Sequence, residues 1–70
     1  MQIFKIANTE KRRLSIAIEP EGTNIELSEN ETLTLFQEVG IDGYYHLTYS
    51  SNYIQIWVEG DYKYPEWELE

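Results

Sequence analysis

From Tyr44 to Glu59 the chain runs through two stretches of period-two alternation, Tyr44–Ser50 and Tyr53–Glu59, divided by Ser51-Asn52. A period of two marks a strand with one face in the core, and a two-residue break made of turn formers marks a hairpin. With that turn, Tyr45 faces Val58, Leu47 faces Ile56 and Tyr49 faces Ile54, so one parity gathers the apolar bulk and is assigned to the core. The other parity sets Tyr44 beside Glu59, His46 beside Trp57, Thr48 beside Gln55 and Ser50 beside Tyr53. That second face carries more aromatic surface than solvation requires.

The same period recurs upstream. Leu14, Ile16 and Ile18 alternate with Ser15, Ala17 and Glu19, and Phe4 and Ile6 share a parity, so a hairpin through Asn8–Arg12 would set Ile6 opposite Leu14 and Phe4 opposite Ile16. Pro20 and Gly22 turn the chain before a short strand at Asn24–Leu27, and Ser28–Glu31 turns it again. Ser28 and Glu31 have the spacing of a helix capping box, but the threonines and the alternation of Thr32–Glu38 predict a strand. With Val39–Gly43 as a loop, Leu35 would oppose Leu47, Leu33 would oppose Tyr49 and Phe36 would lie beside His46. A two-residue turn at Gly60-Asp61 would place Tyr64 beside Trp57, with Pro65 ending the pairing at an edge. Glu66–Glu70, with Trp67 and Leu69 alternating with glutamates, supplies a last strand. Six to seven short strands at spacings of about 8–12 residues predict an all-β fold, a small antiparallel sandwich or partly open barrel, in one domain over residues 1–70.

Length and composition narrow the picture. A chain of 70 residues buries only about 60% of its unfolded surface, and its stability is on the order of 3.5–10 kcal/mol. The absence of cysteine excludes disulfides, thiolate catalysis and thiolate-bound zinc. No apolar run approaches the roughly 20 residues of a membrane helix, and Met1–Arg13 lacks the apolar segment of a signal peptide, so a soluble, cytoplasmic protein is expected. The net charge of −8 is uneven: Met1–Arg13 holds Lys5, Lys11, Arg12 and Arg13 against Glu10, while the remainder holds twelve carboxylates against Lys63. Such a surface repels nucleic acid and anionic membranes, and it suits solubility or a basic partner.

The candidate contact residues are Phe36, His46, Trp57 and Tyr64, expected as one row across four adjacent strands on the face opposite the core. A purely structural role is a second packing layer, or cover by the Trp67 tail. A functional role is an exposed platform for a protein partner, a sugar or a self-association contact, since interfaces favour Trp and Tyr. His46 is the only histidine and lacks the companions a transition-metal site needs, and no elbow motif surrounds Ser50 or Ser51. The carboxylates Glu19, Glu21, Glu26, Glu29 and Glu31 crowd two turns without the spacing of a calcium loop. No glycine-rich phosphate loop is present, and no cofactor is expected. Aromatic residues on a sheet can stack single-stranded bases, but only beside a positive groove.

Ile16-Ala17-Ile18-Glu19-Pro20-Glu21-Gly22, followed by Ile25-Glu26-Leu27 and Glu31-Thr32-Leu33, resembles short bacterial β-sandwich proteins of uncharacterised function. Those proteins show a strand ending in Glu-Pro-Trp-Gly, a second strand, a Pro-Gly turn and a third strand. The likeness extends to Ile54–Gly60 and departs from the pattern at Glu21, in place of tryptophan, and at Glu29-Asn30, in place of Pro-Gly. It implies a sandwich and assigns no activity and no functional residue.

The leading functional expectation is a small non-enzymatic domain that acts by protein contact through the aromatic face. The alternative is an acidic decoy or inhibitor that fills a basic site on a nucleic-acid enzyme or toxin. A hydrolase ranks last, because a chain this short leaves little room for a substrate cleft.

Overall fold

The computed structural model describes residues 1–38 and 40–70. Among these residues there are seven strands: β1 (Gln2–Ala7), β2 (Leu14–Glu19), β3 (Thr23–Leu27), β4 (Thr32–Gln37), β5 (Tyr44–Ser50), β6 (Tyr53–Glu59) and β7 (Glu66–Leu69). They form a three-stranded sheet, β1-β4-β7, and a four-stranded sheet, β3-β2-β6-β5. The all-β expectation holds, as a two-sheet sandwich and not as a closed barrel. Among the described residues no helix is long and apolar enough to cross a membrane.

The β5–β6 hairpin has the expected register at all seven pairs, from Tyr44–Glu59 to Ser50–Tyr53. Ser51 and Asn52 both take positive φ, 43° and 66°, which is the type I′ geometry whose twist matches the flanking strands. β2 and β3 pair antiparallel around the turn at Pro20–Gly22, with Ile16 against Ile25. Ser28–Glu31 closes by a backbone bond from Glu31 N–H to Ser28 C=O and by Ser28 N–H donating to Glu31 Oε1 at 2.6 Å. The capping-box spacing is thus used, in a turn that leads into strand β4.

Three expected neighbours are not neighbours. β1 pairs with β4, Ile6 facing Leu33 and Phe4 facing Leu35, and does not form a hairpin with β2. β4 lies between β1 and β7 and does not pair with β5, so Leu35 faces Trp67 instead of Leu47, and Leu33 faces Leu69 instead of Tyr49. β6 pairs on its far side with β2, in parallel, and not with the segment after Gly60, so Tyr64 does not lie beside Trp57. The reason is common to all three: β1 and β2, β4 and β5, and β6 and β7 lie in different sheets, so the segments between them cross from one sheet to the other, and a crossover and a hairpin loop of similar length carry the same turn residues. Of the loop expected over Val39–Gly43, Val39 lies outside the described residues.

Buried polar groups hold these crossovers. Asn8 is buried between the sheets; its Nδ2 donates to Arg12 C=O at 2.8 Å and Leu27 C=O at 3.0 Å, and its Oδ1 accepts Glu10 N–H at 3.1 Å. Gln37, also buried, donates from Nε2 to Lys63 C=O at 2.6 Å and to the Tyr45 hydroxyl at 3.0 Å, joining β4 to β5 and to the last crossover. A buried amide with its partners in place fixes one arrangement, because any other leaves it unpaired.

The core consists of Ile16, Ile18, Ile25, Leu27 and Ile56 from one sheet and Leu33 and Leu35 from the other. Ile56 is buried at the centre of the four-stranded sheet, opposite Ile18 and Leu47. Ile56→Ala should destabilise the protein by about 2–5 kcal/mol through lost burial and the cavity left behind. Denaturant unfolding measures this, and a loss below about 1 kcal/mol would place Ile56 outside the core.

Candidate functional site

The outer face of the four-stranded sheet follows from its register. Glu19, Trp57 and His46 share one row, Ala17, Gln55 and Thr48 the next, and Ser15, Tyr53 and Ser50 the third, with Tyr44 beside Glu59 at the end. Ala17 is only 2% exposed on this face, hemmed by Asn24 and Gln55 in its row and by Tyr53 and Trp57 along β6. Thr48 Oγ1 donates to Gln55 Oε1 at 3.2 Å. His46 Nδ1 lies 3.8 Å from Glu59 Oε2, an ion pair whenever the imidazole is protonated. The result is a small polar floor flanked by Trp57, Tyr53, Tyr44 and the His46 ring.

Of the four expected contact residues, the structure brings His46 and Trp57 together and separates the others from them. Phe36 is on the other sheet, paired with Ile3 on one side and Glu66 on the other. Tyr64 is in the crossover before β7, packed against the core, with its hydroxyl donating to Thr23 Oγ1. Phe36 and Tyr64 both line a cavity of about 250 Å³ beside Met1 and Lys63, away from His46 and Trp57. The row across four strands does not exist, because it needed β4 next to β5. Nor does Trp67 cover the outer face, since it points inward from β7 beside Leu35.

The edge of β5 is the feature that sequence reasoning missed. Leu47 and Tyr49, assigned to the core by parity, are 50% and 68% exposed. Their parity is correct and their cover is absent, because the opposite sheet is one strand narrower and does not reach over the second half of β5. Only Tyr45 is covered: its ring meets Phe4 edge-on at 4.9 Å and Tyr62 at 5.1 Å between centroids. β5 thus ends the sheet as a seven-residue strand with apolar or aromatic groups on both faces.

A knuckle at the start of β5 adds to this surface. Asp61 Oδ2 accepts the N–H groups of Ile41 at 3.1 Å and Asp42 at 3.3 Å, and Gly43 lies against the Tyr62 ring with no room for a side chain. Gly60, at φ +66°, abuts the Asp42 carbonyl, which leaves no room for a Cβ. This packing presents Ile41 at 93% exposure.

Other chemistry is poorly served. A second cavity of about 250 Å³ opens between the sheets beside Ile6, Leu14, Tyr49 and Ile54, below the roughly 300–1,000 Å³ of small-molecule sites. Its basic residue is engaged, since Arg12 Nε and Nη2 reach the Asn52 side-chain oxygen at 2.7 and 2.8 Å once that amide faces the guanidinium. Among the described residues no group of three His, Asp or Glu side chains could hold a metal ion. No protein-family model, no curated protein and no solved structure matches this chain.

Burial raises the Tyr45 phenol above its ordinary value of 10.0; the Gln37 hydrogen bond opposes the shift and the Tyr62 phenol adds to it. An acid that ionises later in the folded state contributes stability below its unfolded pKa and loses it as pH rises through the folded value. Tyr45→Phe should therefore cost about 0.5–1.5 kcal/mol at neutral pH, through the lost Gln37 bond, and should flatten the decline of stability above pH 10. Urea unfolding of both proteins at neutral and alkaline pH tests this; an equal alkaline decline in the two would show that Tyr45 does not titrate with unfolding.

Proposed function

We propose that this protein is a non-enzymatic contact module that binds a protein chain through the β5 side of its four-stranded sheet. The contact surface comprises the free edge of β5, with Leu47 and Tyr49, and the adjoining outer face at Tyr44, His46 and Trp57. Phe36 and Tyr64 are outside it.

The observation that carries this reading is that β5 is the unguarded edge. Edge strands are normally protected by charge, proline, bulges or brevity, because their unpaired backbone groups invite another strand. β1 carries Lys5, 3.5 Å from Glu70, and β3 carries Glu26, 3.0 Å from Arg13. β7 has four residues, two of them glutamates, and follows Pro65. β5 contains no Asp, Glu, Lys, Arg or Pro, and its seven pairs with β6 run without a bulge. An edge of this kind suits addition of an extended strand, with backbone bonds giving affinity and side chains giving selectivity.

The alternative, contact through the carboxylates with a basic partner, is supported by the twelve acidic residues set against Lys63 after Arg13. Salt separates the two, because exposed charge is screened and strand pairing with aromatic burial is not. Affinity capture from the native host should yield partners that persist in high salt. Leu47→Lys should weaken them at least about tenfold, while Glu29→Lys in the exposed Ser28–Glu31 turn leaves them unchanged. Binding that is lost in salt and is sensitive to Glu29→Lys would assign the contact to the carboxylates.

A further inference from the structure

We infer that the β5 edge pairs with the β5 edge of a second copy, antiparallel and centred on Leu47, to give one continuous eight-stranded sheet. This inference rests on reading β5 as the contact edge and names its occupant.

The backbone phase comes first. In a hairpin with a two-residue turn the flanking pair, Ser50 and Tyr53, is hydrogen-bonded, and bonded and non-bonded pairs then alternate along the ladder. Tyr44, His46, Thr48 and Ser50 therefore direct their N–H and C=O groups to β6. Tyr45, Leu47 and Tyr49 direct theirs to the open edge. A two-fold axis at Leu47 brings Leu47 opposite Leu47 of the second copy and Tyr45 opposite Tyr49, in the phase where each pair exchanges two hydrogen bonds.

The side chains fit the same axis. Tyr45, Leu47 and Tyr49 read the same in both directions, as an isologous contact requires. On that face the exposed Leu47 would meet its copy, and the largely uncovered Tyr49 ring would lie beside the partly covered Tyr45. On the outer face the large members meet small ones: Tyr44 faces Ser50, and His46 faces Thr48. No Asp, Glu, Lys or Arg lies in the paired segment. A chance partner strand would have to supply both the alternation and the size match, whereas a second copy supplies them by symmetry.

Pairing of one edge buries less than the roughly 1,200 Å² of standard interfaces, so association should be weak and concentration-dependent. The net charge of −8 on each copy opposes approach, and added salt should strengthen the pair.

Amide hydrogen exchange of the unmodified protein reads the phase directly. His46 and Thr48 should be protected at every concentration. Tyr45, Leu47 and Tyr49 should gain at least about tenfold protection between dilute and concentrated solution, most strongly in high salt, in step with dimer by sedimentation. Because the chain has no cysteine, single-cysteine variants check the register. Leu47→Cys should be joined into a covalent dimer by a short bifunctional thiol reagent, since hydrogen-bonded antiparallel pairs hold their Cα atoms about 5.5 Å apart. Ser50→Cys, six residues out of register with its own copy, should not.

A protein that stays monomeric at all concentrations, or that cross-links equally at both positions, overturns the inference. If it stays monomeric while a captured host partner is still lost on Leu47→Lys, only the second-copy occupant falls and the contact edge stands. If Leu47→Lys changes neither, the contact reading falls as well.

Discussion

The parallel ladder from Ser15–Tyr53 to Glu19–Trp57 is the joint on which the sandwich depends. It is the one parallel pairing among the described residues, and it joins the β2–β3 hairpin to the β5–β6 hairpin across more than half of the chain's length. Alone, each hairpin is a two-stranded ribbon of marginal stability. Joined, they make a surface broad enough for Ile16, Ile18 and Ile56 to be closed over by Leu33 and Leu35 of the other sheet. The joint also places Ala17 and Gln55 in one outer row between Tyr53 and Trp57, so the aromatic face exists only because the ladder does.

The same joint creates the asymmetry that leaves β5 bare. Four strands face three, and the shortfall appears at both ends of the contact: Leu47 and Tyr49 project from β5, while Trp67 and Leu69 project inward from β7 yet remain partly exposed. The two overhangs differ in their surroundings. At β7 the glutamates Glu66 and Glu68 face outward and the strand is short, so the apolar pair is flanked by charge. At β5 the alternate residues are Tyr44, His46, Thr48 and Ser50, none of them a carboxylate, and phenol and hydroxyl groups tolerate desolvation far better than carboxylates do.

What the sequence reveals follows from locality. The β5–β6 register was legible because a two-residue turn admits one pairing, and parity then confirms it residue by residue. The turns at Pro20–Gly22 and Ser28–Glu31 and the final strand with Trp67 and Leu69 were legible for similar reasons. The sheet order was not. Sequential strands are usually neighbours, and that tendency favours β1 with β2 and β4 with β5. What defeats it here is a set of non-local polar bonds, Asn8 to Leu27 and Gln37 to Lys63 and Tyr45, and nothing in an isolated Asn or Gln announces a buried partner nineteen or twenty-six residues away. The site suffered accordingly: His46 and Trp57, set by the local hairpin, were placed correctly beside each other, whereas Phe36 and Tyr64 depended on sheet order and were misplaced. Leu47 and Tyr49 were read as core because parity tells which way a side chain points, not whether anything lies above it.

The three-stranded sheet has a mechanical consequence. β1 and β7 flank β4 and both run antiparallel to it, so Gln2 lies at the Gln37 end and Leu69 at the Leu33 end. Glu70 continues the second ladder through reciprocal backbone bonds with Thr32, at 2.8 and 3.0 Å. Tension between the two chain ends therefore pulls β1 and β7 in opposite directions along β4. The hydrogen bonds are loaded in shear, all sharing the force, and are not peeled apart one at a time. In the other sheet, tension between residues 44 and 59 would unzip the β5–β6 hairpin from its open end. The fold is thus stiff along the line joining its termini and soft at the strand edge, where its exposed apolar groups are concentrated.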